Sequence, residues 1–501
     1  MVKNNKSSGE NTNVDGGKEK RTPEEKAKAA LVTYREQRRT NPMVIRNFKL
    51  LCISIGEAGG KIQSLLVNAI RNQPVEQMDF STKLMAKAIG ECTLHIDCDQ
   101  SGAIHNYSIE DIAWIGLSDD EDGIPLDGCG STGNGERCTQ DDIMVIAERV
   151  SQKCGDSQPN LIVTIGSTAG GTSSGGHPIL IKYLVERFPN TKILSFIIGG
   201  FKVDQRVAQF IAGMGSMLKL HLENKEVRSR VIPIYMSNEA LMGDDPPEAT
   251  DEVRELYPIA NLMVVRIIKT LILPALLCNY FLLNPDAKNQ VKITMSNRPD
   301  LKELCLLPFF IVPILVDYHP DDMDLTMVLK TVKGSLRFLS GRVPGMNLGV
   351  NGAAARLKST SAKMVFAIYM ADGCADLRYR KVVNEAIMEV FELEYGQLRD
   401  YMIKIQPQGN EKLGLDTKLL ALVGGADIED IHFYIQQFDD LKEKGLSELL
   451  ETWGGYPIEE LTAYRNLLED YLKSLMRAAR CVKEPQIVPL EVRRDDLVQL
   501  K

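Results

Sequence analysis

Short apolar runs alternate with helical patterns through the first half of the chain. Leu50–Ile55, Thr93–Ile96, Leu161–Ile165, Ile193–Ile198 and Val231–Tyr235 have the length and composition of strands buried on both faces. Between them apolar residues recur at helical spacing, as at Ile62, Leu65, Leu66, Ala69 and Ile70. This alternation predicts a parallel, doubly wound α/β sheet, whose ligands sit beyond the carboxyl ends of the strands. A long helical stretch from Asn261 to about Asn279 then leads to a second α/β half. Its strands are expected at Leu306–Val316, Ala362–Tyr369, Leu398–Ile405 and Lys418–Val423, with helices near Leu325–Leu339 and Tyr379–Glu394. From Ile431 onward the pattern is helical, and Leu461, Tyr464, Leu467, Leu468, Tyr471, Leu472 and Leu475 share one apolar face. That face suits packing on the body or on another subunit.

The first residues read differently. Met1–Lys20 is rich in Lys, Asn, Ser and Gly, which predicts a disordered tail. Thr22-Pro23-Glu24-Glu25 has the N-cap, first-turn proline and acids that open a helix, here expected to reach about Arg39.

With 501 residues, 44% of them hydrophobic and 25% charged, the chain is long enough for two or three globular domains. A formal charge of −8 argues against a protein whose main task is to coat nucleic acid. The ten cysteines include no C-x-x-C pair and the six histidines are dispersed, so no His/Cys metal site or disulfide framework is expected. His177 reads as a helix-start residue. No apolar h-region follows the basic N-terminus, and Leu262–Leu277 is interrupted by Arg266, Lys269 and Pro274. A cytoplasmic protein without a transmembrane segment is the expectation.

The chemistry concentrates in glycine-rich segments near strand ends. After Leu161–Ile165 comes Thr168–Gly176, T-A-G-G-T-S-S-G-G, followed by a helical pattern at Ile179, Leu180, Tyr183 and Leu184. A strand that feeds such a turn into a helix N-terminus is built to receive phosphate, because free N–H groups and the helix dipole both favour an anion there. Gly56-Glu57-Ala58-Gly59-Gly60-Lys61 is not a P-loop, since only three residues separate Gly56 from the Gly-Lys pair and Ile62 follows. It also lacks the G-x-G-x-x-G spacing of a dinucleotide fingerprint. Asp97-Cys98-Asp99 sets two carboxylates at a strand end, where they could hold magnesium through its waters. Gly128-Cys129-Gly130 opens a third glycine-rich segment, with a helix expected from Asp141.

Thr168–Gly176 closely resembles the G-G-G-T-G-[ST]-G signature of the tubulin/FtsZ superfamily, departing from it at Ala169 and Ser173. Gly56, Ala58 and Gly59 resemble the first nucleotide loop of that family, Asp97-x-Asp99 the second and Gly128-Cys129-Gly130 the third. Ser237-Asn238-Glu239-Ala240 and Tyr257-x-x-x-Asn261 resemble its base-binding segments, and Asp300-x-x-Glu303 its catalytic loop, with Asn297 displaced by one position. The resemblance spans about Lys49–Val316, with a compatible pattern to about Val423. It implies a tubulin/FtsZ-like fold with 47–260 a GTP-binding Rossmann-like domain, 261–296 the core helix and connection and 297–429 a second α/β domain. It does not account for 1–46, read as a tail and helix, or for 430–501, read as a helical C-terminal region.

By the same resemblance, Gly56, Glu57, Ala58, Gly59, Gly128, Gly130 and Ala169, Gly170, Gly171, Thr172, Ser173, Ser174 and Gly175 would contact the phosphates of GTP or GDP. Asp97 and Asp99 would hold Mg2+ through water, while Asn238, Tyr257 and Asn261 would bind guanine. Asp300 and Glu303 would be catalytic in the pocket of a neighbouring subunit within a head-to-tail homopolymer, a cytoskeletal GTPase of unspecified cargo. A GTP-binding scaffold with little turnover is the alternative. An NAD-type oxidoreductase fits less well, because it leaves the other glycine-rich loops and the Tyr257/Asn261 pair without a task.

Overall fold

The computed structural model describes residues 49–71, 80–90, 92–99, 111–116, 129–155, 158–242, 250–283, 291–295, 305, 309–316, 326, 332–333, 352–358, 362–372, 377–394, 396–407 and 419–480. The tail and helix expected before residue 47 lie outside these, as does most of the helix expected at Leu325–Leu339.

The first half of the sheet is built from β1 (Leu50–Ile55), β2 (Thr93–Asp97), β3 (Ile112–Trp114), β4 (Leu161–Ser167), β5 (Lys192–Gly199) and β6 (Val231–Ser237). All six run parallel, in the order β3-β2-β1-β4-β5-β6. The chain winds one way from β1 and the other way from β4, so the β1/β4 pair is the topological switch point, where a crevice opens beyond the strand ends.

The second half comprises β7 (Val291–Met295), β8 (Ile311–Val316), the short β9 (Gly352–Ala353), β10 (Met364–Asp372), β11 (Leu398–Pro407) and β12 (Leu419–Gly424). It joins the first at a single pair, Ile234 beside Ile311, and continues as β8-β12-β10-β11-β7 with both parallel and antiparallel pairings. The two halves expected from the sequence thus share one continuous sheet.

Burial of the strands on both faces requires a helical layer on each side. One layer contains α1 (Gly56–Arg71), α2 (Phe80–Ile89) and the long α9 (Thr250–Leu283), with Ile62, Leu66, Met85, Val264 and Ile268 packed on Leu161, Val163 and Ile165. Helix α9 begins eleven residues before Asn261 and runs through the positions of Pro258 and Pro274. Each proline removes one backbone bond, a loss that the 34-residue helix absorbs.

The other layer contains α3 (Thr132–Asp141), α4 (Ile143–Cys154), α5 (Gly171–Arg187), α6 (Val207–Glu223), α7 (Lys225–Arg230) and α10 (Leu377–Val390). A short α8 (Asn238–Met242) follows β6. The C-terminal α11 (Glu429–Glu443), α12 (Ser447–Gly454) and α13 (Ile458–Arg480) complete this layer. The apolar face of α13 packs on the chain's own body: Leu461, Tyr464, Leu468, Leu472 and Leu475 are buried, and Tyr464 lies against Gly215 of α6. No described helix is long and apolar enough to cross a membrane.

Candidate functional site

At the switch point β4 ends at Ser167, and only Thr168, Ala169 and Gly170 intervene before α5. Gly170 takes the N-cap position with extended backbone and, lacking a side chain, offers the first-turn N–H groups of α5 no capping acceptor. A Cβ added to Gly170 would meet no described residue within 4 Å, and the same holds at Gly130, whose φ of +67° requires glycine. These two glycines mark open space between α5 and the loop preceding α3.

The other glycines of the signature serve packing. A Cβ on Gly175 would stand 1.9 Å from the Thr132 carbonyl oxygen, and one on Gly135 would stand 2.1 Å from that of Gly171. Helices α3 and α5 therefore touch backbone to backbone, a contact strengthened by the Thr132 and Ser174 hydroxyls at 2.8 Å. The helix expected from Asp141 is α4, which begins at Ile143, and a further helix, α3, begins at Thr132 inside the glycine-rich stretch. Ser131 caps it by accepting the Asn134 N–H, and this packing offsets the poor helix propensity of Gly133 and Gly135.

Both departures from the signature are absorbed by neighbouring glycines. Ser173 is buried and its hydroxyl accepts the Ser167 N–H, with Gly56 (φ +72°) opposite: a Cβ there would lie 3.0 Å from Ser173 Cβ. Ala169 Cβ would lie 2.8 Å from one on Gly200. Glycines 56 and 200 make room for the two larger residues, so the loop keeps its path. Gly59 and Gly60 are also occupied, pressed on the Ile165 carbonyl and the His95 ring. Glu57 is exposed and paired with Lys61, and Ala58 is half-buried.

The carboxylates after β2 are not equivalent. Asp97 is buried, accepts the Cys98 N–H at 2.8 Å, and lies 3.1 Å from His95 Nε2. The chain of contacts continues inward through Ser54, 2.9 Å from His95 Nδ1, to Gln63. Asp99 is half-buried and is the more accessible carboxylate of the pair. Between them Cys98 touches both Thr172 Oγ1 of α5 (2.9 Å) and Cys129 Sγ (3.1 Å). The Cys129 thiol lowers the Cys98 pKa by hydrogen bonding, and that same bond with burial raises Cys129. Among the described residues no group of three or more His, Cys, Asp or Glu is placed to hold a metal ion. His177, expected at a helix start, lies inside α5, buried 2.9 Å from Thr164 Oγ1, and burial lowers its pKa to about 4.

At the far end, Asn238 opens α8 at the carboxyl end of β6. It is buried, and its Oδ1 has no hydrogen-bond partner among the described residues. Such an orphan costs free energy unless a ligand supplies a donor. Asn261 is buried on α9 and Tyr257, one turn earlier, is half-buried. Two residues absent from the sequence reading hold Tyr257: Phe201 meets its ring edge-on at 5.1 Å and Asp204 accepts its hydroxyl proton at 2.6 Å. The signal for both was Gly199-Gly200-Phe201, another glycine pair at a strand end. Beside them Val203, Asp204, Gln205, Arg206 and Trp453 line a cavity of about 320 Å³.

The C-terminal helices buttress both ends of this site. Tyr456 donates to Glu136 of α3, while Lys202 reaches Glu429 of α11 at 2.8 Å. Asp430 accepts from the buried Tyr235 hydroxyl at 2.8 Å, and its pKa is raised by burial. Gly128, Asn297, Asp300 and Glu303 lie outside the described residues.

No protein-family model matches the sequence, and no curated protein matches it significantly. Solved structures do resemble the fold. CetZ2 from Haloferax volcanii, a GTPγS-bound protofilament, superposes with a TM-score of 0.54 at 15% identity, over 79% of this chain and 99% of that one. CetZ from Methanosaeta thermophila gives 0.52 at 14% identity, over 84% and 99%. The α/β architecture expected from the nucleotide-loop motifs is the one observed, and the chain has the tubulin/FtsZ fold.

Proposed function

We propose that the chain binds and hydrolyses GTP and assembles head to tail into filaments. The observation that carries this reading is the uncapped N-terminus of α5 at the switch point, faced by the open space at Gly170 and Gly130. The orphaned Asn238 Oδ1 at the other end fits the N–H donors of a guanine edge. Tyr257, held by Phe201 and Asp204, offers its ring for stacking, and Asn261 supplies a second carboxamide.

The first-turn N–H groups of α5 would hold the terminal phosphates. Asp99, with Asp97 behind it, would hold Mg2+ through water, and the ion would neutralise phosphate charge. Asp300 and Glu303 of the next subunit would orient the attacking water, so turnover requires assembly. A contact that does not close on itself generates an open filament, and the CetZ2 protofilament lends support to that geometry.

Light scattering with magnesium and GTP, then GDP, over a range of protein concentrations tests assembly. A GTP-dependent rise above a critical concentration is expected, and a flat trace contradicts the filament reading. Phosphate release tests catalysis: Glu303→Ala should assemble but release phosphate at least about tenfold more slowly. Assembly of the unmutated chain without phosphate release would identify a GTP-binding scaffold instead.

A further inference from the structure

Three cysteines that are far apart in sequence converge at the phosphate end of the site. Cys98 follows β2, Cys129 precedes Gly130, and Cys138 lies on α3 close to Cys129. Cys98 and Cys129, 31 positions apart, place their sulfur atoms 3.1 Å from each other, and both are buried. A disulfide needs about 2.05 Å between sulfurs, so closure requires a shift of about 1 Å. Cys129 adjoins Gly130, where an added Cβ would meet no described residue within 4 Å.

We propose that Cys98 and Cys129 form a reversible disulfide that joins the second and third loops of the site and weakens anion binding there. The oxidant is a peroxide. One sulfur attacks a peroxide oxygen, breaking the O–O bond and forming a sulfenic acid. The second sulfur then attacks that sulfenic sulfur, forming S–S and breaking S–O. Two thiols and one hydrogen peroxide become one disulfide and two waters. A dithiol reductant reverses the reaction by exchange.

The consequence follows from Thr172. Cys98 Sγ lies 2.9 Å from the Thr172 hydroxyl in the first turn of α5, so a disulfide replaces a thiol at that turn with a sulfur that has no proton to donate. The bond also fixes the distance between the Asp99 segment and Gly130. The effect on nucleotide affinity rests on the GTP reading above, whereas the crosslink does not.

The test uses the reduced full-length chain treated with hydrogen peroxide, alkylated, digested and analysed by mass spectrometry. A Cys98–Cys129 crosslinked peptide that disappears with dithiothreitol is expected. Alkylation of both residues as free thiols after peroxide, or a Cys129–Cys138 link in their place, would overturn the proposal. GTP affinity of the crosslinked protein should fall about tenfold and recover on reduction, as expected for the loss of one or two phosphate hydrogen bonds. In Cys98→Ser peroxide should no longer shift it. Equal affinity of the reduced and crosslinked forms would overturn the switching role. If neither form binds GTP, the nucleotide reading falls and the switch with it, while the peptide masses still decide the crosslink.

Discussion

Along the α3/α5 wall, Gly135, Gly171 and Gly175 are pressed against neighbouring backbone, and Thr132 and Ser174 satisfy each other. At the β6/α9 end, Asn238 is buried with an oxygen that no described residue satisfies, and Tyr257 is held in place by Phe201 and Asp204. The contrast separates two uses of polar and small residues within one candidate site. Among the described residues, most of the glycines on the phosphate side build the wall, and Gly130 and Gly170 leave space in front of it. The base side instead carries a deficit that a ligand would relieve.

The largest effect expected is on the wall. Gly175→Ala would push a Cβ to within 1.9 Å of the Thr132 carbonyl, with Glu136 N at 2.4 Å, and neither backbone group can swing aside as a side chain would. Thermal or denaturant unfolding should show a loss of about 3 kcal/mol or more, while Gly170→Ala should cost less than about 1 kcal/mol. Comparable losses in the two variants would erase the distinction between wall and opening.

Acid should sharpen the same comparison, because the buried groups at the two ends respond with opposite signs. His177, behind the wall, has its pKa lowered to about 4 by burial, so the unfolded chain binds its proton first. The stability conferred by the neutral ring is complete above pH 6.5 and is lost as pH falls toward 4, by up to about 3 kcal/mol. Asp430 and Glu239, behind the base end, have pKa values raised by burial, so protonation on acidification favours the folded state there. Hydrogen exchange measured between pH 7 and pH 5 should therefore show α5 losing protection before α11. Simultaneous loss would contradict the assignment.

A smaller effect is expected at Asn238. Asn238→Ala removes the orphaned oxygen and should weaken GTP binding by about tenfold to a hundredfold. It should destabilise the ligand-free chain less than Gly175→Ala does. Unaltered affinity would remove Asn238 from the base pocket.

The parallel core was legible because its strands are continuous apolar runs, and the loop before α5 because strand, glycine turn and helix follow directly. Four features were hidden for physical reasons. The N-terminus of α3 lies in glycines whose low helix propensity is overridden by contact with α5, which local sequence does not reveal. The early start of α9 was masked by Pro258, since a long packed helix tolerates a missing bond. Asp97 looked equivalent to Asp99 until the fold set His95 beside it. The partnership of Phe201 and Asp204 with Tyr257 depends on contacts more than 50 positions apart.

The most direct test of the central claim is calorimetric titration of GTP into the unmutated chain and into Gly170→Val, with unfolding followed in parallel. The account predicts saturable binding to the unmutated chain and at least about hundredfold weaker binding to the variant, because the side chain would occupy the space in front of the uncapped α5 N-terminus while leaving the fold intact. Absence of GTP binding to the unmutated chain, or equal affinity for the variant, would contradict it.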